Sequence, residues 1–524
     1  MTSSLSDIGP TFLESTKQIV EGLRAFSILS HPFAMASMLA YALPRHGMTP
    51  ASAVLGSALT WGNRVALVDR WGPMTYRQLG AASERLASSL SIQTPVGARV
   101  GLMASDDRSF VTGLAALGLC GAHVWLVNPR MGADDLAHCV RENRIGCLVC
   151  SPGCEDRLAG FGGRVISTQS FPGLIDSADP RSRPRHVRGS TFAMLTSGTT
   201  GAPASIPIRR RWTAPLPSLA LAGATGVRHG ESALICVPLF HGYGLACAML
   251  CLAAGSTMVL SSACKAEGLS VLGKQTSTSR IDWGEAIFSV ACREEVGTVF
   301  AVPAQLRSLA CYLDSNPPRT PQEKVSHVVS GSDRLDLSTL QTLQRRWGPV
   351  VTNYYGTTES GTVTMISGPD LASRPMSVGR PVAGSRVRIV DRESRVVPRG
   401  ASGLVQAASP LVFTGHGWRA WHTTSDLGRV DADGYLCLEG RVGSVRRTSG
   451  EFVDPSRVES VLAGVDGVES VRAFMVADEQ HGGRVAVEIR GTPSLDVEGL
   501  RDLVRHRLGP HFVPVTIEIL TSSG

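Results

Sequence analysis

The residues best suited to chemistry lie in one run, Met194-Leu195-Thr196-Ser197-Gly198-Thr199-Thr200-Gly201-Ala202-Pro203, where hydroxyls and glycines follow directly on an apolar stretch. Glycine lets the backbone turn at positive φ and come close to a ligand, while serine and threonine add hydroxyls to the backbone amides. That combination suits phosphate oxygens. No Gly-Lys-Ser/Thr closes the run, so it is not the loop of a P-loop NTPase. Taken alone, the same composition describes an ordinary surface loop, and the rest of the chain has to decide.

A second run, Asn353-Tyr354-Tyr355-Gly356-Thr357-Thr358-Glu359, places a ring, two hydroxyls and a carboxylate within a few residues. Magnesium takes hard oxygen ligands, and charge developing on phosphorus needs donors nearby, so Thr358 and Glu359 are the right types for phosphate work. Three shorter groups accompany these runs: Pro238-Leu239-Phe240-His241-Gly242-Tyr243-Gly244, Ser330-Gly331-Ser332-Asp333, and Thr424-Ser425-Asp426 followed by Gly440-Arg441.

The elements that must position these groups read as alternating strands and helices. Val65 to Asp69, Arg99 to Met103, Ala122 to Val127, Gly146 to Ser151, Val165 to Ser167, Ala233 to Cys236 and Thr298 to Pro303 are short apolar strands. Helices fall between them, from Met74 to Leu79 with Thr75 as cap, from Asp107 to Leu119 and from Ala304 to Leu313. Such alternation predicts a parallel sheet covered on both faces, with ligands beyond the carboxyl ends of the strands. Glycine and proline rise from Gly379 to Gly403, where short alternating strands begin.

Together these groups, in this order from about Leu59 onward, resemble the adenylate-forming (AMP-binding) superfamily, of the acyl-CoA synthetase or fatty acid-CoA ligase type. Thr196 to Gly201 with Pro203 matches its phosphate signature Thr-Ser-Gly-Thr-Thr-Gly-x-Pro-Lys-Gly, and Tyr355 to Glu359 its Tyr-Gly-x-Thr-Glu. The resemblance implies an α/β chain in two parts. Residues 1–439 would form a large body of βαβ sheets, with leader helices over 1–55 and a β-rich subdomain over about 370–439. Residues 440–524 would form a small mobile α+β domain.

The resemblance also implies roles. Thr196, Ser197, Gly198, Thr199, Thr200 and Gly201 would hold ATP phosphates, with Thr199 among the catalytic residues. Gly331, Ser332 and Asp333 would line the adenine and acyl pocket. Tyr355 would stack on adenine with Gly356 and Thr357 beside it, Thr358 would contact the α-phosphate, and Glu359 would hold Mg²⁺. Asp426 would accept the ribose hydroxyls, Arg441 would meet ribose and phosphate, and His241 would stand between the acid and the thiol. The implied reaction uses ATP to turn a carboxylic acid into an acyl-adenylate and passes the acyl group to CoA. A fatty acid is the expected acid, because Gly242, Gly244, Ala246 and Gly356 leave room for an apolar tail. Transfer to an acyl carrier protein, and a catalytically degenerate binder of acyl or nucleotide ligands, are the alternatives.

The degenerate alternative comes from departures. Ala204-Ser205-Ile206 stands where relatives have Lys-Gly-Val, although Arg209, Arg210 and Arg211 follow and offer substitute charge, unless they form a basic surface turn. Gly443-Ser444 replaces an Asp-Asp hinge pair, and Ser425 replaces a glycine. After Val513 to Leu520 the sequence closes on Thr521-Ser522-Ser523-Gly524, without the Pro-Arg-x-x-x-Gly-Lys loop the resemblance implies, either because the sequence is truncated there or because the protein lacks the loop.

Composition sets the remaining bounds. With 524 residues, 43% hydrophobic and 18% charged, the chain is globular and large enough for two or three domains. A net charge of +7 without a basic run suits a polyanionic small molecule and not a nucleic-acid surface. Twelve cysteines include Cys147-x-x-Cys150-x-x-x-Cys154, which reads as core thiols on a buried strand and not as a metal or redox site. Neither a secretory signal nor a membrane-spanning run is evident, which predicts a cytoplasmic protein; Phe26 to Leu43 reads as an amphipathic cap or a peripheral membrane contact.

Overall fold

Short apolar strands bury both of their faces only when helices cover them, and that requirement shapes the body of this protein. The computed structural model describes residues 6–26, 47, 49–179, 190–196, 204–208, 215–265, 283–316, 323–410, 421–441, 446–448, 451–478, 481 and 483–520. Six strands lie parallel in one sheet, in the spatial order Val65–Asp69, Thr257–Leu260, Ser232–Ile235, Val296–Ala301, His327–Ser330 and Val351–Thr357. A second sheet sets Arg164–Ser167, Cys147–Cys150, Arg99–Met103, His123–Leu126 and Thr191–Thr196 parallel, and Ala204–Ile208 returns antiparallel at its edge.

One helical layer joins the two sheets. Leu79 and Leu86 of the helix Tyr76–Ser91 and Phe110, Leu114 and Leu117 of the helix Arg108–Leu119 share a core with Val100 and Leu102 of one sheet and Leu67, Ile235 and Phe300 of the other. The first of these helices begins where Thr75 accepts from the Gln78 amide and the Gln78 side chain accepts from the Thr75 amide. Such a reciprocal cap satisfies two backbone donors and is worth about 0.5–2 kcal/mol.

Beyond Val351–Thr357 the first sheet turns antiparallel. Gly361–Ser367, Ser377–Pro381, Leu436–Arg441, His422–Val430, Gly403–Ala408 and Arg386–Val390 follow in spatial order. Their inner face buries Val387, Ile389, Val405 and Leu436 together with Ile8 and Tyr355. The leader helix Phe12–Ala25 lies against Pro215–Ala224 and is tied to this antiparallel end: Glu14 pairs with Arg380, and Gln18 accepts from the Ala383 amide at 2.7 Å. This helix packs on the body, while residues 27–43 of the apolar stretch read as an amphipathic cap lie outside the described residues.

The smaller C-terminal domain has its own sheet and core. Val468–Val476 and Arg484–Gly491 pair antiparallel, Thr516–Leu520 joins parallel, and Pro455–Leu462 and Val497–Leu508 pack on them through Val458, Leu462, Leu500 and Val504. The expected boundary between residues 439 and 440 falls inside the strand Leu436–Arg441, which runs two residues further. Two ion pairs dock this domain on the body's helix Ala133–Glu142: Arg457 with Asp135, and Arg507 with Asp134 at 2.8 Å. Burial pushes the Asp135 carboxyl up against the lowering effect of Arg457.

Cys147 and Cys150 sit on a fully buried strand, as core thiols. Burial raises both thiols to about 11 and Cys139 to about 12. Among the described residues no helix is long and apolar enough to cross a membrane.

Two outcomes follow from this packing. Brief alkylation with iodoacetamide at pH 8 modifies the exposed Cys311 first and leaves Cys147, Cys150 and Cys154 unlabelled until the body unfolds, as read by peptide mass spectrometry. Removing one partner of a buried ion pair costs about 3–5 kcal/mol, and the Arg457 and Asp135 side chains are only 18% and 13% exposed. Arg457→Ala is expected to release the small domain, seen as a larger radius of gyration in X-ray scattering; an unchanged profile would show that the pair does not hold the domain.

Candidate active site

Parallel strands point their carboxyl ends the same way, so the groups that follow them gather at one edge. The strand Val351–Thr357 leads into an antiparallel hairpin with Gly361–Ser367, in which Thr357 pairs with Gly361. Thr358, Glu359 and Ser360 form the three-residue turn, which Thr357 and Ser360 close through their hydroxyls at 3.0 Å, and Gly361 follows at φ 64°. This lifts Thr358 and Glu359 to the tip, both half-buried.

Opposite stands the strand His422–Val430. Side chains two residues apart share a strand face, and His422, Thr424 and Asp426 all turn toward the hairpin. The Tyr355 hydroxyl donates to Asp426 Oδ2 at 2.7 Å and lies 3.3 Å from Thr424 Oγ1. Thr424 accepts from the Asp426 amide and donates to the Val405 carbonyl. His422 Nε2 lies 3.9 Å from Glu359 Oε2, with the side chains 19% and 29% exposed. Burial pulls the His422 pKa down more than the Glu359 and Asp426 carboxylates push it up, so the ring is neutral at pH 7. Three strands separate Tyr355 from Asp426 in the sheet order, yet their side chains touch. The antiparallel end therefore curls back over the parallel edge.

Arg441 is the register partner of Asp426, so these two sequence candidates stand side by side on neighbouring strands. His241 is the residue before the helix Gly242–Ala254, with its ring 4.4 Å from that of Phe240. Asp106, on the loop after Arg99–Met103, accepts from the Leu239 amide at 2.7 Å and so anchors the turn that carries His241. A Cβ on Gly242 would lie 3.2 Å from Met194 Sδ, which puts the strand Thr191–Thr196 beside the start of this helix. The phosphate-type run thus leaves its strand near His241. Ser197 to Pro203, with Thr199 and Thr200 among them, and Arg209 to Arg211 lie outside the described residues.

Gly331, Ser332 and Asp333 follow the neighbouring strand His327–Ser330, Ser332 at φ 73°. The expectation that small residues leave room for a tail meets a different use of two of them. A Cβ on Gly244 would fall 2.2 Å from the Pro238 carbonyl oxygen, and one on Gly356 2.0 Å from that of Gly361. These glycines permit close backbone approach and line no open space. Ser330 Oγ and Asn353 Oδ1, on register-paired residues of adjacent strands, are buried without a hydrogen-bond partner.

Sequence reading gave no role to His422, Thr424, Asp106 and Asn353, although Thr424 and Asn353 lie within the runs it named. The first two were legible as i−4 and i−2 neighbours of Asp426 on one strand face; Asp106 reaches Leu239 from 133 residues away, and no local pattern marks it.

The family model described as AMP-binding enzyme matches residues 56–416. Feruloyl-CoA synthase of an Amycolatopsis species is 26% identical over 482 residues, covering 85% of this chain and 89% of that protein. The fatty acid–[acyl-carrier-protein] ligase ScoC of Streptomyces coeruleorubidus is 27% identical over 450 residues, covering 80% and 82%. Among solved structures, amide bond synthetase McbA of Marinactinospora thermotolerans matches with a TM-score of 0.74 at 26% identity over 90% of this chain and 96% of that one. A double mutant of o-succinylbenzoate CoA synthetase (MenE) of Bacillus subtilis matches in fold with a TM-score of 0.74 at 22% identity, over 89% and 94%. With a family model spanning well over half its length, the chain belongs to the AMP-binding enzyme family.

Proposed function

We propose that this protein activates a carboxylic acid with ATP, through an acyl-adenylate, and transfers the acyl group to CoA. The observation that carries the reading is the cluster of Tyr355, Asp426, His422 and Glu359 at the strand ends. A carboxylate is a poor electrophile. Its oxygen attacks the α-phosphorus, pyrophosphate leaves, and the thiol then attacks the acyl carbon and releases AMP.

The residues divide this work by chemistry. Asp426, held in orientation by the Tyr355 hydroxyl and Thr424, accepts the ribose hydroxyls. The buried, unpartnered Asn353 carbonyl is an acceptor of the kind an adenine amino group would fill. Thr358 donates to the α-phosphate from the hairpin tip. Thr196 to Gly201 and Arg441 meet the other phosphate oxygens, and His241 separates acid from thiol.

No group of three or more His, Cys, Asp or Glu side chains among the described residues forms a protein cage for a metal ion. Glu359 is a hard carboxylate at the half-buried hairpin tip, which suits a cation that arrives on the nucleotide and takes one protein ligand. When bound there, Mg²⁺ would neutralise phosphate charge. Phosphoryl chemistry depends mainly on such positioning and neutralisation.

The fatty acid expected from the sequence loses the support of Gly244 and Gly356, whose lack of a side chain serves backbone packing. The missing lysine after Pro203 favours the degenerate binder as the second reading.

The deciding experiment incubates the protein with Mg·ATP and a panel of aromatic and fatty acids, with and without CoA, and detects acyl-AMP and acyl-CoA by mass spectrometry. Acyl-AMP consumed by CoA is expected. Adenylate that persists with CoA points to a carrier-protein acceptor, and binding of ATP without any adenylate supports the degenerate binder. Glu359→Gln is expected to lower adenylate formation about 100-fold or more, the scale seen when one charge-stabilising group is removed. Tyr355→Phe removes a hydrogen bond to a charged group, worth about 1.5–3 kcal/mol. It should raise the KM for ATP by about tenfold or more and lower the thermal stability as well; an unaltered KM would place Asp426 away from the nucleotide.

A further inference from the structure

We propose that the acid this protein activates is compact, a planar aromatic carboxylic acid and not a long-chain fatty acid, because Tyr354 and Tyr243 close the apolar side of the site. The inference rests on the acid-activating function proposed above and names its substrate class.

The two-residue period of a strand sends the adjacent tyrosines of Val351–Thr357 to opposite faces. Tyr355 faces Asp426, on the side assigned to the nucleotide. Tyr354 faces the helix Gly242–Ala254, which His241 precedes, and on the function proposed above the acid approaches from this side. Space there is already taken. The Tyr354 ring lies directly on Gly331, where a Cβ would sit 2.3 Å from a ring carbon. Its other neighbour is Tyr243, edge-on at 4.9 Å and 74°. Tyr243 is in turn held by its hydroxyl on the Val329 carbonyl at 2.7 Å and by an edge contact with the fully buried Phe300 at 6.3 Å. Among the described residues three interlocked rings thus stand between the helix and the strands, across the path a run of methylenes would take. A flat ring needs no such channel, since it stacks offset or edge-on against an aromatic wall. Gly331 is what lets Tyr354 lie this close to the strand end, so the wall belongs to this pair of residues.

Acyl sulfamoyladenosines test the wall without turnover, since they present an acyl tail on a stable adenylate mimic. Calorimetry would compare benzoyl, cinnamoyl, octanoyl and hexadecanoyl tails and the tailless sulfamoyladenosine. Benzoyl or cinnamoyl is expected to bind at least tenfold more tightly than hexadecanoyl. Tyr354→Ala should shrink that ratio at least tenfold by improving the long tail, Tyr354→Phe should keep it, and Tyr354→Leu replaces the alanine variant if that one fails to fold. Hexadecanoyl binding as tightly as the aryl tails, or a tail preference indifferent to Tyr354→Ala, overturns the inference while leaving the activation reading intact if the tailless compound binds. Failure of every compound, the tailless one included, overturns both.

Discussion

The hydrogen bond from Tyr355 to Asp426 joins two halves of one sheet that are distant in strand order. Tyr355 belongs to the last parallel strand, and Asp426 to an antiparallel strand that returns only because the sheet curls. Tyr355 is 7% exposed, so an unsatisfied hydroxyl there would carry the cost of a buried, unpaired polar group. A carboxylate in the same place without a donor would cost more. Each group makes the other's position tolerable, and the hairpin tip with Glu359 and the strand with His422 come together as a result.

Around that contact, polar groups are fixed from outside the site. Thr424 orients the Asp426 backbone, and Asp106 reaches across from the second sheet to the turn before His241. The helical layer between the sheets, with Phe110, Leu114 and Leu117 buried on both sides, sets the distance over which Asp106 has to reach. Close packing of this kind transmits position faithfully, because interiors have few voids into which a shift can relax.

The small domain is held by charge more than by apolar contact. Its core closes on itself through Val458, Val485 and Val504, and Arg457 and Arg507 face the two aspartates of the helix Ala133–Glu142. Ion pairs are weaker and more easily exchanged for water than a shared core. Such a contact fits the mobility that the sequence resemblance implies for this domain.

Hydrophobic alternation was sufficient to read the parallel strands, the covering helices and the core placement of Cys147 and Cys150, because each depends on side chains within one or two turns of chain. The order of the candidate motifs carried the family. What the sequence could not supply were facts about distance. Gly244 and Gly356 look like open space in one dimension and prove to be points of backbone contact with Pro238 and Gly361. Tyr354 is one letter from Tyr355, yet it packs on the other face against Tyr243 and Gly331. His422 becomes a neighbour of Glu359 only when the sheet curls. Local propensity determines which segments become strands and helices; which faces meet is decided by burial across the whole chain, and only tertiary structure expresses that sum.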